Sequence, residues 1–275
     1  MMGWLTAPLA YGFMQRGLLA ATMVGVLCAV VGCYVVLRSM AFLGDAMAHA
    51  ILPGVAVAYL LKGNLMVGAL VAAVAVALGI GFFSRLGAIR EDTAIGVLFA
   101  AALALGVALI STIQTYAVDL THILFGNVLG VSTGDLWLTA ALGVAVLAVV
   151  ALLYKEFMII SFDPVLAATL RLPSELLRNL LLVLLAVVVV TSMQTVGVGL
   201  VTAMLVTPAA TAYLLTRRLT SMMAVAALIG AFSALTGLYV SFYLNVASGA
   251  AIVLTATAVF LAAFLFAPRR GLLRR

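Results

Sequence analysis

Charge is what this 275-residue chain has least of: 8% of its residues are Asp, Glu, Lys or Arg, against about 25% in ordinary soluble domains. A soluble globular domain is therefore excluded, and the 67% hydrophobic content and mean hydropathy of +1.36 say the same. Lysine occurs only as Lys62 and Lys155, neither in a G-x-x-x-x-G-K-[ST] context. No phosphate-cradling loop is present, so the chain carries no ATP-hydrolysing site of that kind. Strict apolar–polar alternation in short segments is missing too, which excludes a transmembrane β-barrel. The two cysteines, Cys28 and Cys33, share one apolar run but fall on different helical faces. They read as small core residues, forming neither a disulfide nor a metal site. No cleavable signal peptide is expected, because residues 1–16 include Pro8, Gln15 and Arg16 ahead of the first long run.

What is present is a series of apolar runs, each long enough to cross a hydrocarbon core of ~30 Å. They predict an all-α, polytopic transmembrane bundle of eight to nine spans, organised as one domain over 1–275. The expected spans are 17–37, 41–61, 65–83, 94–113, 136–153, 179–197, 200–216, 222–244 and 250–267. The sixth and seventh are separated only by Val198 and Gly199, so they read equally as two spans or as one broken element. The net charge of +6 concerns topology, not nucleic acid, because Arg and Lys cluster at the ends of the runs. The linker 114–135 has neither residue and is expected outside. The loops 85–92, 154–178 and 217–218 and the C-terminal tail are expected in the cytoplasm, with Arg16 and Lys62 as lone exceptions. Runs rich in Gly and Ala, such as 68–81 and 94–106, suit close helix packing.

The second run, SMAFLGDAMAHAILPGVAVAY over 39–59, is interrupted by Asp45 and His49. Four residues apart, they stack on one helical face. Pro53 has no N–H for the carbonyl of His49, which it would free. An Asp at mid-membrane costs roughly 2.5–3.5 kcal/mol on insertion scales, and a bound cation is the simplest compensation. The alternative is a structural pair in which Asp45 accepts a hydrogen bond from His49. One carboxylate and one imidazole cannot complete a metal shell. A two-fold dimer with this face at its seam would bring together two of each. Imidazole suits zinc and iron and carboxylate suits manganese, so preference for manganese would have to come from geometry.

Residues 161–173, SFDPVLAATLRLP, read as a short cytoplasmic helix capped by Asp163, opened by Pro164 and stopped by Pro173. It is either a plain connector or an element that passes a partner's motion to the bundle. His122 and Asp119 read as outer-loop residues, with a metal-entry role for His122 as the sharper alternative. Glu91 and Asp92 read as first-turn acids favoured by the helix dipole. Gln194, Thr195, Thr202 and Thr207 read as interhelical hydrogen bonders, and Pro208 as a kink that frees the carbonyl of Met204.

These pieces resemble one family. The run VVLRSMAFLGDAMAHAILPGVAVAY is similar to the signature of the manganese/zinc/iron permeases, the membrane subunits of metal-importing ATP-binding-cassette transporters. THILFGNVLGVS (121–132), SFDPVLAATLRLP and TVGVGLVTAMLVTPAATA (195–212) resemble the same family in the same order. The resemblance implies a homodimer with two cytoplasmic ATP-binding subunits and an extracytoplasmic metal-binding protein. It places the metal-coordinating acid on Asp45 and the histidine on His49, and ATPase contact at Phe162, Asp163, Pro164 and Arg171. The LFGN wording, Leu124 to Asn127, resembles the manganese or iron branch. A non-enzymatic permease of the cell membrane is implied, with its C-terminus cytoplasmic and no permanently bound cofactor, carrying manganese or zinc. The rival reading is a proton-coupled metal carrier that uses Asp45 and His49 without an ATPase.

Overall fold

The computed structural model describes residues 7–85, 90–112 and 128–267, and all of its regular structure there is helical. The α-helices are α1 (Gly12–Leu37), α2 (Leu43–Ala50), α3 (Leu52–Leu60), α4 (Leu65–Arg85), α5 (Glu91–Ser111) and α6 (Thr133–Leu152). They continue with α7 (Tyr154–Phe162), α8 (Pro164–Thr169), α9 (Ser174–Val196), α10 (Val198–Leu215), α11 (Leu219–Leu244) and α12 (Ser248–Phe266). Two short 3-10 turns, Pro8–Ala10 and Val128–Gly130, precede α1 and α6.

Nine stretches among the described residues are long and apolar enough to span a membrane, with α2 and α3 together forming one of them. Helices dominate because hydrocarbon offers no partner to backbone N–H and C=O groups, and a helix pairs them within itself. The eight-or-nine ambiguity resolves at Gly197, whose φ of 88° and ψ of 161° separate α9 from α10. Glycine alone adopts that backbone freely. The sixth span begins earlier than expected, at Ser174, because Pro173 opens α9 instead of stopping the helix before it. Leu177 N–H bonds the Pro173 carbonyl at 3.0 Å.

The second run is two helices, not one. Pro53 removes one donor, and the ladder breaks at Ile51, whose φ and ψ stay helical (−76°, −19°) and whose N–H turns to the carbonyl of His49. Val55 N–H resumes the bonding to the Ile51 carbonyl at 3.1 Å. Pro208, by contrast, sits inside an α10 that runs unbroken through it.

The chain forms two compact units, each discontinuous in sequence. One comprises Met1–Val36, His122–Val144 and Thr191–Arg275. In it α10, α11 and α12 pack on one another. The backbones of α1 and α11 also meet there: a Cβ on Gly25 would stand 2.9 Å from the Gly230 carbonyl oxygen. The other comprises Leu37–Thr121 and Ala145–Val190, in which α2 and α3 pack against α4 and α5, and α8 packs on α7. Gly54 and Gly68 meet there in the same way, each with its carbonyl against the other's α-carbon. Small residues let membrane helices approach this closely where lipid supplies no hydrophobic drive.

Gly230→Val should separate α1 from α11 and lower stability by about 1–3 kcal/mol through overpacking, read as a lower thermal midpoint of the detergent-solubilised protein. Gly96→Ala, where nothing lies within 4 Å of an added Cβ, should leave that midpoint unchanged or slightly raised.

Candidate functional site

α2 has eight residues, and six of them, Leu43, Gly44, Ala46, Met47, Ala48 and Ala50, are buried. The two that remain open are Asp45 and His49, with side chains 51% and 32% exposed. The only polar groups of the helix thus face the only direction left unpacked. Their placement also follows the helix field, with Asp45 in the first turn and His49 in the last. A carboxylate is favoured at the positive end and an imidazolium at the negative end.

His49 Nε2 and Asp45 Oδ1 lie 3.7 Å apart. That is within ion-pair reach but too long for a hydrogen bond. The expected alternative, a closed Asp–His hydrogen bond, is therefore not formed, and both groups keep lone pairs for a third party. The ring of Phe99, on α5, lies 5.9 Å from the imidazole centroid at a tilt of 54°, limiting how the imidazole can swing. No cluster of three or more His, Cys, Asp or Glu occurs among the described residues. Among the described residues, this face offers two side chains of ligand type, Asp45 and His49. His122, Asp119 and the LFGN stretch 124–127 lie outside the described residues.

The segment 161–173 is built differently from the single helix expected. Phe162 ends α7 and is 59% exposed. Asp163 caps α8 as predicted, its Oδ1 accepting from Val165 N–H at 3.0 Å and Leu166 N–H at 2.9 Å. Pro164 is the first residue of α8. The stop is at Arg171, not Pro173. Arg171 N–H bonds the Ala168 carbonyl (3.1 Å) and Leu172 N–H the Ala167 carbonyl (3.0 Å), a Schellman closure with Arg171 left-handed at φ 52°. Glycine is the usual residue there, so an arginine holds a strained backbone at an exposed point. Val165, Leu166 and Leu170 are exposed beside it, an apolar face that residue type alone did not single out.

Sequence reasoning also missed the charge pairing behind α2. Arg38, between α1 and α2, pairs with Glu91 at the start of α5 at 3.2 Å, with side chains only 12% and 23% exposed. Glu91 thus holds a buried guanidinium as well as standing at a helix N-terminus. Burial lowers the Arg38 pKa from its ordinary value, Glu91 raises it, and nearby Arg178 adds to the lowering. Arg178 itself donates to the Gly81 carbonyl at 2.9 Å, tying α9 to α4. The Arg85–Glu175 pair at 3.1 Å is largely exposed and contributes little. Partners 53 residues apart leave no local signal. Thr195 and Thr202, expected to bond between helices, bond within them: Thr195 Oγ1 donates to the Ser192 carbonyl (2.9 Å) and Thr202 Oγ1 to that of Gly199 (3.3 Å).

The described residues thus form a polytopic bundle of apolar helices, with one ionisable pair left open on an otherwise buried helix. The chain belongs to the ABC 3 transport family, whose model matches residues 10–267. It is 48% identical over 267 residues to the manganese transport system membrane protein MntC of Halalkalibacterium halodurans, covering 97% of this chain and 91% of that one. It is 44% identical to the manganese import system permease protein ScaB of Streptococcus parasanguinis, with 94% and 92% covered. Among solved structures it is similar to PsaBC from Streptococcus pneumoniae in complex with Fab, at a TM-score of 0.85 and 40% identity over 98% of each chain.

Glu91→Ala should leave Arg38 buried without its acid and cost about 3–5 kcal/mol, seen as a large drop in thermal midpoint. The double replacement Arg38→Met with Glu91→Leu should recover most of that loss.

Proposed function

We propose that this chain is the permease subunit of an ATP-binding-cassette importer for a divalent transition metal, with manganese as its cargo and zinc or iron as lesser ones. The observation that carries the reading is α2, where Asp45 and His49 are open, stacked and not closed on each other. The manganese systems named for relatives at 48% and 44% identity support the cargo. Family membership favours an ATP-driven cycle over proton coupling.

Two ligands are too few to hold an ion, so a second copy of the chain completes the site by symmetry. Two carboxylates and two imidazoles then form a mixed oxygen and nitrogen set that a manganese ion accepts. Four protein ligands leave coordination positions for water, and an incompletely enclosed ion is held long enough to be selected and loosely enough to leave. The whole of 1–275 works as a single permease domain in the cell membrane, with its C-terminus in the cytoplasm by the excess of Arg and Lys on that side. An extracytoplasmic metal-binding protein delivers the ion. Two cytoplasmic ATP-binding subunits hydrolyse ATP, and this chain itself catalyses no reaction and keeps no resident cofactor.

The ATPase subunits engage the segment of Phe162, Asp163, Pro164 and Arg171. Asp163 fixes the start of α8 and Arg171 its end, so the segment moves as a short rigid lever. The exposed Phe162, Val165 and Leu166 supply apolar surface for a partner groove.

Asp45→Ala and His49→Ala should each abolish manganese accumulation by cells expressing the full system while the subunits still co-purify. Normal accumulation in either variant would remove the proposed site. Proteoliposomes holding this chain without ATPase subunits should take up no manganese; uptake down a proton gradient would favour the carrier reading.

A further inference from the structure

The turn that joins α8 to α9 is closed by hydrogen bonds at each step. Leu172 N–H bonds the Ala167 carbonyl at 3.0 Å, Ser174 N–H the Leu172 carbonyl at 2.8 Å, and Leu177 N–H the Pro173 carbonyl at 3.0 Å. The Ser174 hydroxyl adds a bond to the Leu172 carbonyl at 3.3 Å. With no slack residue between them, a displacement of α8 is handed to the first turns of α9.

Those turns grip the C-terminal end of α4 at three points. Arg178 Nη2 donates to the Gly81 carbonyl at 2.9 Å. Glu175 Oε2 meets Arg85 Nε at 3.1 Å. The Asn179 carboxamide lies against the α-carbon of Gly81, where an added methyl would collide with its oxygen. In turn α4 packs against α2 and α5, and the Arg38–Glu91 pair ties the chain entering α2 to the first turn of α5. All of these residues belong to one compact unit. Chains of packed side chains, hydrogen bonds and rigid elements of this kind are what carry coupling between distant sites.

Stability alone does not account for Arg178. Its Nε is buried and meets no acceptor among the described residues, which is destabilising. Its charge also repels that of Arg38. An apolar side chain would fill the junction at lower cost. What the guanidinium adds is a charge-assisted bond of fixed direction, which resists separation of the two helices as well as their approach.

The structure assigns Arg178 the role of a positioning residue, the tie by which a displacement of α8 and the base of α9 passes through Gly81 to α4 and so to α2, which carries Asp45 and His49. This role rests on the reading of the chain as an ATP-driven metal permease. Arg178 touches no ion; it acts through α4.

The test uses proteoliposomes holding the complete transporter, in which ATP hydrolysis and uptake of radiolabelled manganese are measured together. Arg178→Met keeps an unbranched stem and removes the tie. It should lower the manganese carried per ATP about tenfold, the factor for one lost charge-assisted hydrogen bond, with hydrolysis and the half-saturating manganese concentration unchanged. Arg178→Lys, which keeps a charged donor, should recover part of the ratio. A merely structural role would lower hydrolysis and uptake together, and such an unchanged ratio in Arg178→Met would overturn the inference. Where Arg178→Met yields no assembled complex, Gly81→Ala decides in its place. Its methyl should push Asn179 and α9 away and lower the ratio, and adding Asn179→Ala should restore it; an unchanged ratio in Gly81→Ala would overturn the inference. ATP hydrolysis without manganese uptake by the unaltered transporter would overturn the permease reading instead.

Discussion

Hydrocarbon solvates neither a charge nor an unpaired peptide group, and the rest of this structure depends on that constraint. Backbone groups are answered by helices, and close contacts between helices are made through glycine, as at Gly25 with Gly230 and Gly54 with Gly68. Ionisable side chains within a span or at its edge are then rare enough that each needs its own account. Arg38 is accounted for by Glu91 at 3.2 Å. Asp45 and His49, 3.7 Å apart, are not accounted for by each other. The proposed ion site rests on that difference between the two pairs.

The functional argument runs from that difference to the family. A helix packed on every side but one, with its acid and imidazole on the open side, has little structural reason to keep them. Membership of the ABC 3 transport family supplies the context in which an ion would use them. The proposed ATPase contact rests on the short α8, fixed at one end by Asp163 and at the other by a left-handed Arg171. The proposed ion site and the proposed ATPase contact thus lie on different segments of the chain.

Much of this was legible in the residues. Apolar runs located the spans, leaving eight or nine open, because the solvent is uniform and selects by length and composition. The i, i+4 spacing of Asp45 and His49 foretold a shared face, and Asp163 before Pro164 foretold a capped start. What was not legible depended on distance or on backbone detail. Glu91 looked like a dipole-favoured acid because its partner is far away in sequence. Pro173 looked like a stop, yet it opens α9, since proline is as well suited to a first turn as to an ending. The separation at Gly197 needed a dihedral angle, which no hydropathy pattern contains.

The missing donor at Pro53 has a further consequence. The two turns that carry Asp45 and His49 join α3 through a ladder one rung short, at Ile51. With the ladder interrupted there, the orientation of Asp45 and His49 is set by the packing of α2 against α4 and α5 and not by the rest of the second run.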